Sequence, residues 1–267
     1  MKAILNWSED WDTNEMKEFL FQIKKRTTAA INKMMRRLMR TLFVKDVITP
    51  ENCFNVPIII NNRNRLTFLK QMLERIESFG YKNIYILDND STYPPLLEYY
   101  RNTNAKVIYL KKNVGYRALW KTEVFGLFKN KYYVYSDPDI LLQEDCPKDF
   151  VYRLYRELVK YNTKEKAGAA LKIDDLPDHR QKAEILKWET GNWKNVLSEN
   201  VYDALVDTTL ALYKPLAYGN AEECAAIRVG GKLTAQHLPW YGDPDNLSEE
   251  DLYYKNHANS SSYWANK

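Results

Sequence analysis

The sequence predicts an α/β fold in which a mostly parallel, Rossmann-like sheet is flanked by helices and preceded by an N-terminal helical extension. Short apolar runs typical of buried strands recur from residue 56 onward, and the segments between them are long enough for helices. This alternation implies parallel strands joined by right-handed crossovers. At 267 residues, with 45% hydrophobic and 28% charged side chains, the chain is typical of globular proteins with a large core.

Four apolar runs mark the expected strands: VPIII (56–60), IYIL (84–87), KVIYL (106–110) and YYVY (132–135). Between the first two runs, apolar residues from Leu66 to Phe79 recur three or four positions apart, and Gly80 follows where a helix would end. The alternation of strand and helix patterns breaks down beyond about residue 165. The segment from His237 to Lys267 is polar, aromatic and without periodicity. We expect that last segment to be a loop or tail that folds over a ligand.

The N-terminal extension, residues 1–52, contains a basic amphipathic helix. Eight lysines and arginines occur between Lys24 and Lys45 with no acidic residue among them. The apolar positions recur at helical spacing: Ile31, Met34, Leu38 and Leu42. Two interpretations stay open, namely that residues 24–45 bind an anionic membrane surface, or that the apolar stripe packs on the main domain and the basic face is solvated.

Several classes of function are disfavoured by what the sequence lacks. No GxGxxG, GxxxxGKS/T, HExxH or GxSxG pattern occurs, which disfavours dinucleotide oxidoreductases, P-loop ATPases, zincins and serine hydrolases. The three cysteines stand far apart, so neither a disulfide framework nor a zinc cluster is indicated and a reducing compartment fits best. A net charge of +4 is too small to indicate nucleic acid, and we expect no nucleic-acid partner.

Neither a signal peptide nor a membrane-spanning run is recognisable in the sequence. We therefore expect a cytoplasmic protein, with a peripheral position on the inner face of the membrane as the alternative if the basic helix binds lipid.

Polar residues follow each of the four strands: Asn61-Asn62-Arg63, Asp88-Asn89-Asp90-Ser91, Asn113-Val114-Gly115 and Ser136-Asp137-Pro138-Asp139. These residue types are also ordinary turn formers. Their recurrence after four strands nevertheless predicts a binding site, because ligands of parallel α/β sheets lie at the carboxyl ends of the strands.

Asp137 and Asp139 stand at the end of the fourth strand with Pro138 between them. Side chains at i and i+2 of an extended segment point to the same side, and two carboxylates so placed repel unless a hard divalent cation lies beside them. Pro138 cannot join a sheet ladder, so it ends the strand where the acids are presented. This arrangement predicts a Mg²⁺ or Mn²⁺ site that bridges the protein to a substrate diphosphate.

Asp-x-Asp occurs four times, at residues 10 and 12, 88 and 90, 137 and 139, and 243 and 245. The third copy follows the fourth consecutive strand and precedes further apolar residues. The fourth copy lies in WYGDPDN, which is typical of a turn. We therefore assign the metal site to the third copy.

Together the four loops resemble those of GT-A nucleotide-sugar glycosyltransferases, close to family 2. VPIIINNRNR matches the family's opening strand and polar loop, IYILDNDST its strand ending in an Asp, LKKNVGYRALW its Asn-x-Gly segment, and VYSDPDI its DxD motif. Order and spacing agree over residues 56–145. The resemblance implies a GT-A domain over residues 53–267, with a nucleotide-binding half at 53–145 and an acceptor half with a closing tail at 146–267.

The resemblance also implies roles for single residues. Asp88 would hydrogen-bond the nucleobase, Asp137 would lie near the ribose, and Asp139 would bind the divalent ion. His237 in AQHLPWY would be a further metal ligand; the alternative is a histidine hydrogen-bonded inside a Trp- and Pro-rich turn. The predicted nucleotide-sugar contacts are Asn61, Asn62, Arg63, Asp88, Asn89, Asn113, Gly115, Arg117, Ser136 and Asp137, and the predicted metal ligands are Asp137, Asp139 and His237.

An inverting enzyme also needs a carboxylate within reach of the acceptor hydroxyl, and three acids are candidates. Glu189 lies between two tryptophans, whose faces are common sugar platforms. Asp207 is an equally good candidate for the base, and Asp175 is a weaker one. If none of the three acids acts as the base, the enzyme would be retaining.

The expected activity is transfer of a hexose, by inversion, from a nucleoside diphosphate sugar to a carbohydrate or lipid-linked acceptor in cell-surface polysaccharide synthesis. We expect the donor to be a UDP-sugar and the cofactor to be Mn²⁺ or Mg²⁺. A sugar-phosphate nucleotidyltransferase and a non-catalytic nucleotide-sugar-binding protein are the alternatives.

Overall fold

A computed structural model describes residues 13–44, 46–219 and 224–258. The chain divides into two compact units, Met1–Lys45 and Asp46–Lys267. In the first unit, α1 (Thr13–Phe43) is one helix of 31 residues that includes most of the basic segment. A single helix offers no second layer against which its own apolar stripe could be buried. No described helix is both long and apolar enough to cross a membrane.

The second unit contains the remaining elements. Its helices are α2 (Thr67–Ser78), α3 (Pro94–Tyr100), α4 (Phe125–Phe128), α5 (Phe150–Lys160), α6 (Lys182–Glu189) and α7 (Glu249–His257). Its strands are β1 (Ile58–Asn62), β2 (Ile84–Asp88), β3 (Lys106–Tyr109), β4 (Tyr133–Ser136), β5 (Ile140–Leu142), β6 (Lys166–Ala169), β7 (Val196–Ser198), β8 (Val201–Tyr202), β9 (Ala211–Tyr213), β10 (Ala226–Val229) and β11 (Ala235–His237). Short 3-10 turns cover Cys53–Asn55, Thr190–Trp193, Gly231–Leu233 and Leu238–Tyr241.

The described strands form a nine-stranded central sheet in the order β3-β2-β1-β4-β9-β6-β10-β8-β7. β1 pairs in parallel with both β2 and β4, so that Asn62 lies beside Asp88 and Ile60 beside Ser136. Their carboxyl ends therefore meet at one edge of the sheet, as predicted. β9 runs antiparallel between β4 and β6, and β6 resumes the parallel direction with β10.

Both faces of the sheet are covered. All five residues of β1 are buried, and Ile58 and Ile60 pack in one apolar cluster while Ile59 packs in the other. This burial on both sides explains why the strand is a continuous apolar run instead of an alternating one. On one face α2 contributes an amphipathic stripe that buries Leu69 and Met72 among others, and Gly80 after it adopts a positive φ of 103°.

A separate two-stranded ribbon of the described residues joins β5 to β11 in antiparallel register. His237 lies opposite Ile140 in this ribbon, and the backbone N–H of Leu238 donates to the carbonyl of Asp139 at 2.8 Å. The ribbon therefore carries His237 to the acidic end of β4.

The C-terminal segment differs from the prediction, because it contains α7 instead of being aperiodic throughout. Ser248 and Asp251 form a capping box at its start, which matches the S-x-x-D spacing of such boxes. The helix has no apolar stripe, and polar contacts hold it in place, so hydrophobic periodicity could not reveal it. Residues 259–267 of the predicted tail lie outside the described residues, as do Asp10 and Asp12.

Candidate active site

A cavity of about 700 Å³ lies at the carboxyl ends of the central strands. Most of the predicted site residues line it: Asn61, Arg63, Asn89, Asn113, Gly115, Asp137, Asp139, Glu189, Asp207 and His237. Residues from all four strand-end loops therefore meet in one place. The predicted residues that do not line the cavity are Asn62, Asp88, Arg117, Ser136 and Asp175.

Asp137 is fixed by the segment that leads into β9. Its Oδ2 accepts a hydrogen bond from the hydroxyl of Thr208 at 2.6 Å, and its backbone N–H donates to the carbonyl of Thr208 at 2.9 Å. Burial raises the pKa of the Asp137 carboxyl well above its ordinary value, and the charge of Asp139 adds to this, while the bond from Thr208 opposes it. A divalent cation beside this pair would offset the repulsion.

Asp139 faces His237, but the two side chains are too far apart for a hydrogen bond. Oδ2 of Asp139 lies 3.6 Å from Nε2 of His237, beyond hydrogen-bond range. The other atom of each group, Oδ1 of Asp139 and Nδ1 of His237, is buried and has no hydrogen-bond partner in the part of the chain that the structure describes. Burial lowers the pKa of His237, with Asp139 opposing, so the imidazole is held in the neutral form that ligates metals.

The carboxylate and imidazole pair fits a divalent ion such as Mn²⁺ in its donor types. Within the described ranges no group of three or more His, Cys, Asp and Glu side chains forms a complete metal site. Mg²⁺-type sites on nucleotides usually take only one or two carboxylates and leave the other positions to phosphate oxygens and water. The residues present therefore fit a metal that is completed by its substrate.

Asn89 links two of the strand-end loops that border the cavity. Its Oδ1 accepts from the backbone N–H of Val114 at 2.9 Å, and its Nδ2 donates to the carbonyl of Gly115 at 3.0 Å. Gly115 has a positive φ of 84°, which glycine adopts readily. Asn61 also lines the cavity, and its Oδ1 is buried with no hydrogen-bond partner within residues 13–44, 46–219 and 224–258, so it is available to a ligand donor.

Asp88 lies beneath the loop that follows β2. Only 3% of the residue is exposed, its Oδ1 accepts from the hydroxyl of Tyr100 at 3.1 Å, and its Oδ2 accepts from the N–H of Ser91 at 3.2 Å. Burial raises its pKa. Asn62 also donates to the Tyr100 hydroxyl at 2.8 Å, so in this arrangement Asp88 and Asn62 shape the loop from below.

The three candidate bases occupy different environments. Glu189 is 1% exposed and forms an ion pair with Arg228, and burial raises its pKa while Arg228 opposes the rise. Asp207 is exposed and lines the cavity next to Thr208. Asp175 lies outside the cavity and accepts from Lys172 at 2.6 Å and from the Tyr241 hydroxyl at 2.7 Å.

The helix α7 forms one side of the cavity, and the sequence did not predict this helix. The carboxylate of Glu250 accepts from the backbone N–H of Leu66 at 2.9 Å and from the Thr67 hydroxyl at 2.8 Å, so it caps the first turn of α2. Arg65 forms an ion pair with Asp251 at 2.5 Å and stacks 3.8 Å from the ring centre of Tyr254. The S-x-x-D capping signal in the sequence could have revealed this helix, but nothing in the sequence indicates its docking partners.

Many solved structures are distantly similar to this chain. The chain is similar to a mannosyltransferase from Pyrobaculum calidifontis in complex with GDP-Man and Mn²⁺, with a TM-score of 0.49 and 12% identity, over 87% of this chain and 70% of that one. It is also similar to a GalNAc-T enzyme solved with UDP, GalNAc and Mn²⁺, with a TM-score of 0.46 and 12% identity, over 75% of this chain and 47% of that one, less than half of its length. No family model and no curated protein matches the sequence.

Proposed function

We propose that the protein is a metal-dependent glycosyltransferase of the GT-A type that moves a sugar from a nucleoside diphosphate sugar to a carbohydrate or lipid-linked acceptor. One observation carries the proposal. Oδ2 of Asp139 and Nε2 of His237 face each other at 3.6 Å, and the second polar atom of each group is buried with no hydrogen-bond partner among the described residues, in the cavity where the strand-end loops meet. This pairing at the carboxyl edge of a parallel sheet suits a metal bound to a nucleotide.

Asp139 and His237 would hold the ion, Mn²⁺ or Mg²⁺, with Asp137 beside them. When bound, such an ion neutralises charge on a leaving diphosphate. Asn61, Asn113 and Gly115 line the cavity, where their side-chain amides and backbone groups would orient the donor. UDP-sugars are the first donors to test, and synthesis of a cell-surface polysaccharide is the role that we assign to the product.

Asp207 is the acid that we propose as the base of an inverting reaction, and it would take the proton from the acceptor hydroxyl. Its carboxylate is exposed and lines the cavity. Glu189 ranks second because it is buried and its carboxylate is already engaged by Arg228 and Asn192, and Asp175 ranks third because it lies outside the cavity. If neither Asp207→Asn nor Glu189→Gln lowers kcat, the inverting assignment fails.

The experiment that tests the activity is release of the nucleoside diphosphate from a panel of UDP- and GDP-sugars with Mn²⁺ present. The wild-type chain is expected to release nucleotide from at least one donor, and Asp139→Asn is expected to lose this activity. Asp245→Asn is the matched control, because Asp245 belongs to the second Asp-Pro-Asp tripeptide and does not line the cavity. Equal release by wild type and Asp139→Asn would refute the metal assignment.

The nucleotidyltransferase alternative is separated by its products. Such an enzyme would release pyrophosphate from a nucleoside triphosphate and a sugar phosphate, whereas a glycosyltransferase releases a nucleoside diphosphate. A non-catalytic binding protein would retain the donor and release neither. Product analysis of the same reaction mixtures therefore distinguishes the three.

We also propose peripheral contact of residues 24–45 with the anionic inner face of a membrane. The segment has eight cations and no acids, and most of it lies in one helix, α1, with cations and apolar residues on different faces. The full chain is expected to sediment with phosphatidylglycerol vesicles and not with phosphatidylcholine vesicles. Binding to both, or retention of binding after Arg36→Glu, Arg37→Glu and Arg40→Glu together, would contradict this.

A further inference from the structure

Thr208 lines the cavity, and its side chain contacts Asp137, one of the predicted metal ligands. Its hydroxyl donates to Oδ2 of Asp137 at 2.6 Å, and its carbonyl accepts from the Asp137 backbone N–H at 2.9 Å. Two bonds between the same two residues fix both the backbone and the side chain of Asp137. Oδ1 of Asp137 makes no hydrogen bond with the described part of the chain, and the residue lines the cavity.

The segment that holds Thr208 is itself anchored from below. The amine of Lys166, a residue only 3% exposed, donates to the carbonyl of Asp207 at 3.1 Å and to the hydroxyl of Tyr213 at 3.1 Å. Tyr213 belongs to β9, which pairs with β4 and β6 on its two sides. The backbone on each side of Thr208 is therefore tied to the central sheet.

Gly168 allows the segment to lie this close to the sheet. A Cβ atom at residue 168 would stand 2.8 Å from Cγ1 of Val206 and 3.1 Å from the carbonyl oxygen of Leu210. A side chain at residue 168 would displace the segment that contains Thr208. The close approach at Gly168 and the Lys166 bond act on the same short stretch, residues 206–210.

We infer that Thr208 is a positioning residue, which orients the Asp137 carboxylate toward the cavity so that it can serve the metal and the donor. The inference rests on the proposed function, since it assigns Asp137 a task in that site. Thr208 acts only through Asp137 and need not touch the substrate. A hydrogen bond to a carboxylate is among the stronger ones in proteins, and its loss removes the constraint on which oxygen faces the cavity.

The test compares Thr208→Val, which keeps the shape but lacks the hydroxyl, with Thr208→Ser, which keeps the hydroxyl. Thr122→Val is the control, because the Thr122 hydroxyl donates only to backbone carbonyls and the residue does not line the cavity. Mn²⁺ affinity is measured on each full-length variant by electron paramagnetic resonance titration, and nucleotide release is measured over a range of Mn²⁺ concentrations.

We expect Thr208→Val to raise the Mn²⁺ dissociation constant about tenfold, while Thr208→Ser and Thr122→Val stay within about twofold of wild type. The rate deficit of Thr208→Val should shrink as Mn²⁺ is raised, and circular dichroism without Mn²⁺ checks that the variant is folded, because Mn²⁺ would also stabilise a partly unfolded protein. Equal Mn²⁺ affinity of Thr208→Val and wild type, or failure of Thr208→Ser to restore it, would overturn the inference. Absence of Mn²⁺ binding by the wild-type chain, both alone and with UDP or GDP present, would instead overturn the proposed function.

Discussion

Oδ2 of Asp139 lies 3.6 Å from Nε2 of His237, although the two residues belong to distant parts of the sequence. The antiparallel ribbon of β5 and β11 brings them together, because His237 pairs with Ile140, the residue after Asp139. The separation is too long for a hydrogen bond and leaves room for an ion between the two groups, as proposed.

His237→Phe should remove a metal ligand while keeping the edge-on ring contact with Trp240, whose ring centre is 4.6 Å from that of His237. We expect Mn²⁺ affinity to fall by at least the roughly 10-fold that loss of even an outer-shell partner typically causes. Titration calorimetry with Mn²⁺ measures this, and the thermal unfolding midpoint of the variant checks that the fold is retained. Unchanged affinity in a folded His237→Phe would exclude this histidine as a ligand.

Glu250→Ala should destabilise the docking of α7 on α2. The carboxylate accepts from two backbone amides and one hydroxyl at the start of α2, and loss of such a cap reduces the free energy of unfolding by about 1–2 kcal/mol. Urea unfolding followed by circular dichroism measures the change. Glu249→Ala is the matched control on the same turn of α7, and an equal effect of the two substitutions would show that the cap contributes nothing.

The Asp251 carboxylate should make the free energy of unfolding depend on pH. Burial acts to raise its pKa, but hydrogen bonds from Ser248 and Arg65 outweigh burial, and the pKa is lowered overall. The unfolded chain then binds the proton at a higher pH than the folded chain does. The stabilisation is therefore complete above the unfolded pKa of about 4 and is lost as pH falls through the lower folded value.

Urea unfolding of wild type and Asp251→Asn at pH 7 and at points below pH 5 tests this. The wild type should be more stable at pH 7, and the difference between the two chains should shrink as pH falls. A difference that is constant with pH would mean that the charge of Asp251 does not stabilise the fold.

The buried ion pair of Arg228 and Glu189 should show strong energetic coupling. Their side chains are 6% and 1% exposed, and removal of one partner from such a pair typically costs about 3–5 kcal/mol because the other charge stays buried. Arg228→Met alone should therefore be more damaging than Arg228→Met combined with Glu189→Leu. A double-mutant cycle by chemical unfolding measures the coupling, and additive effects of the two substitutions would contradict it.

The parallel layer and the loops at its carboxyl edge could be predicted from the sequence because they follow local rules. Strands buried on both faces are continuous apolar runs, and the polar residues after β1, β2 and β4 are adjacent to those runs in the sequence. The contacts that organise the site are different in kind. Thr208 with Asp137, and Glu250 with the start of α2, join residues that are far apart in sequence, and no local pattern encodes such pairs.

Asp88 shows that a residue can be located from the sequence while its contacts cannot. Its place at the end of β2 was predictable, but its bonds to Tyr100 and Ser91 depend on how α3 packs beneath the loop. The helix α7 was missed because its stability comes from a capping box and docked polar groups instead of an apolar stripe.

Metal binding by Asp139 and His237 is tested most directly by an anomalous difference map from crystals of the full chain grown with Mn²⁺ and UDP or GDP. We expect one strong peak within coordination distance, about 2.0–2.2 Å, of Asp139 and His237, with the diphosphate on its cavity side. A peak elsewhere, or bound nucleotide with no metal between the diphosphate and Asp139, would contradict it.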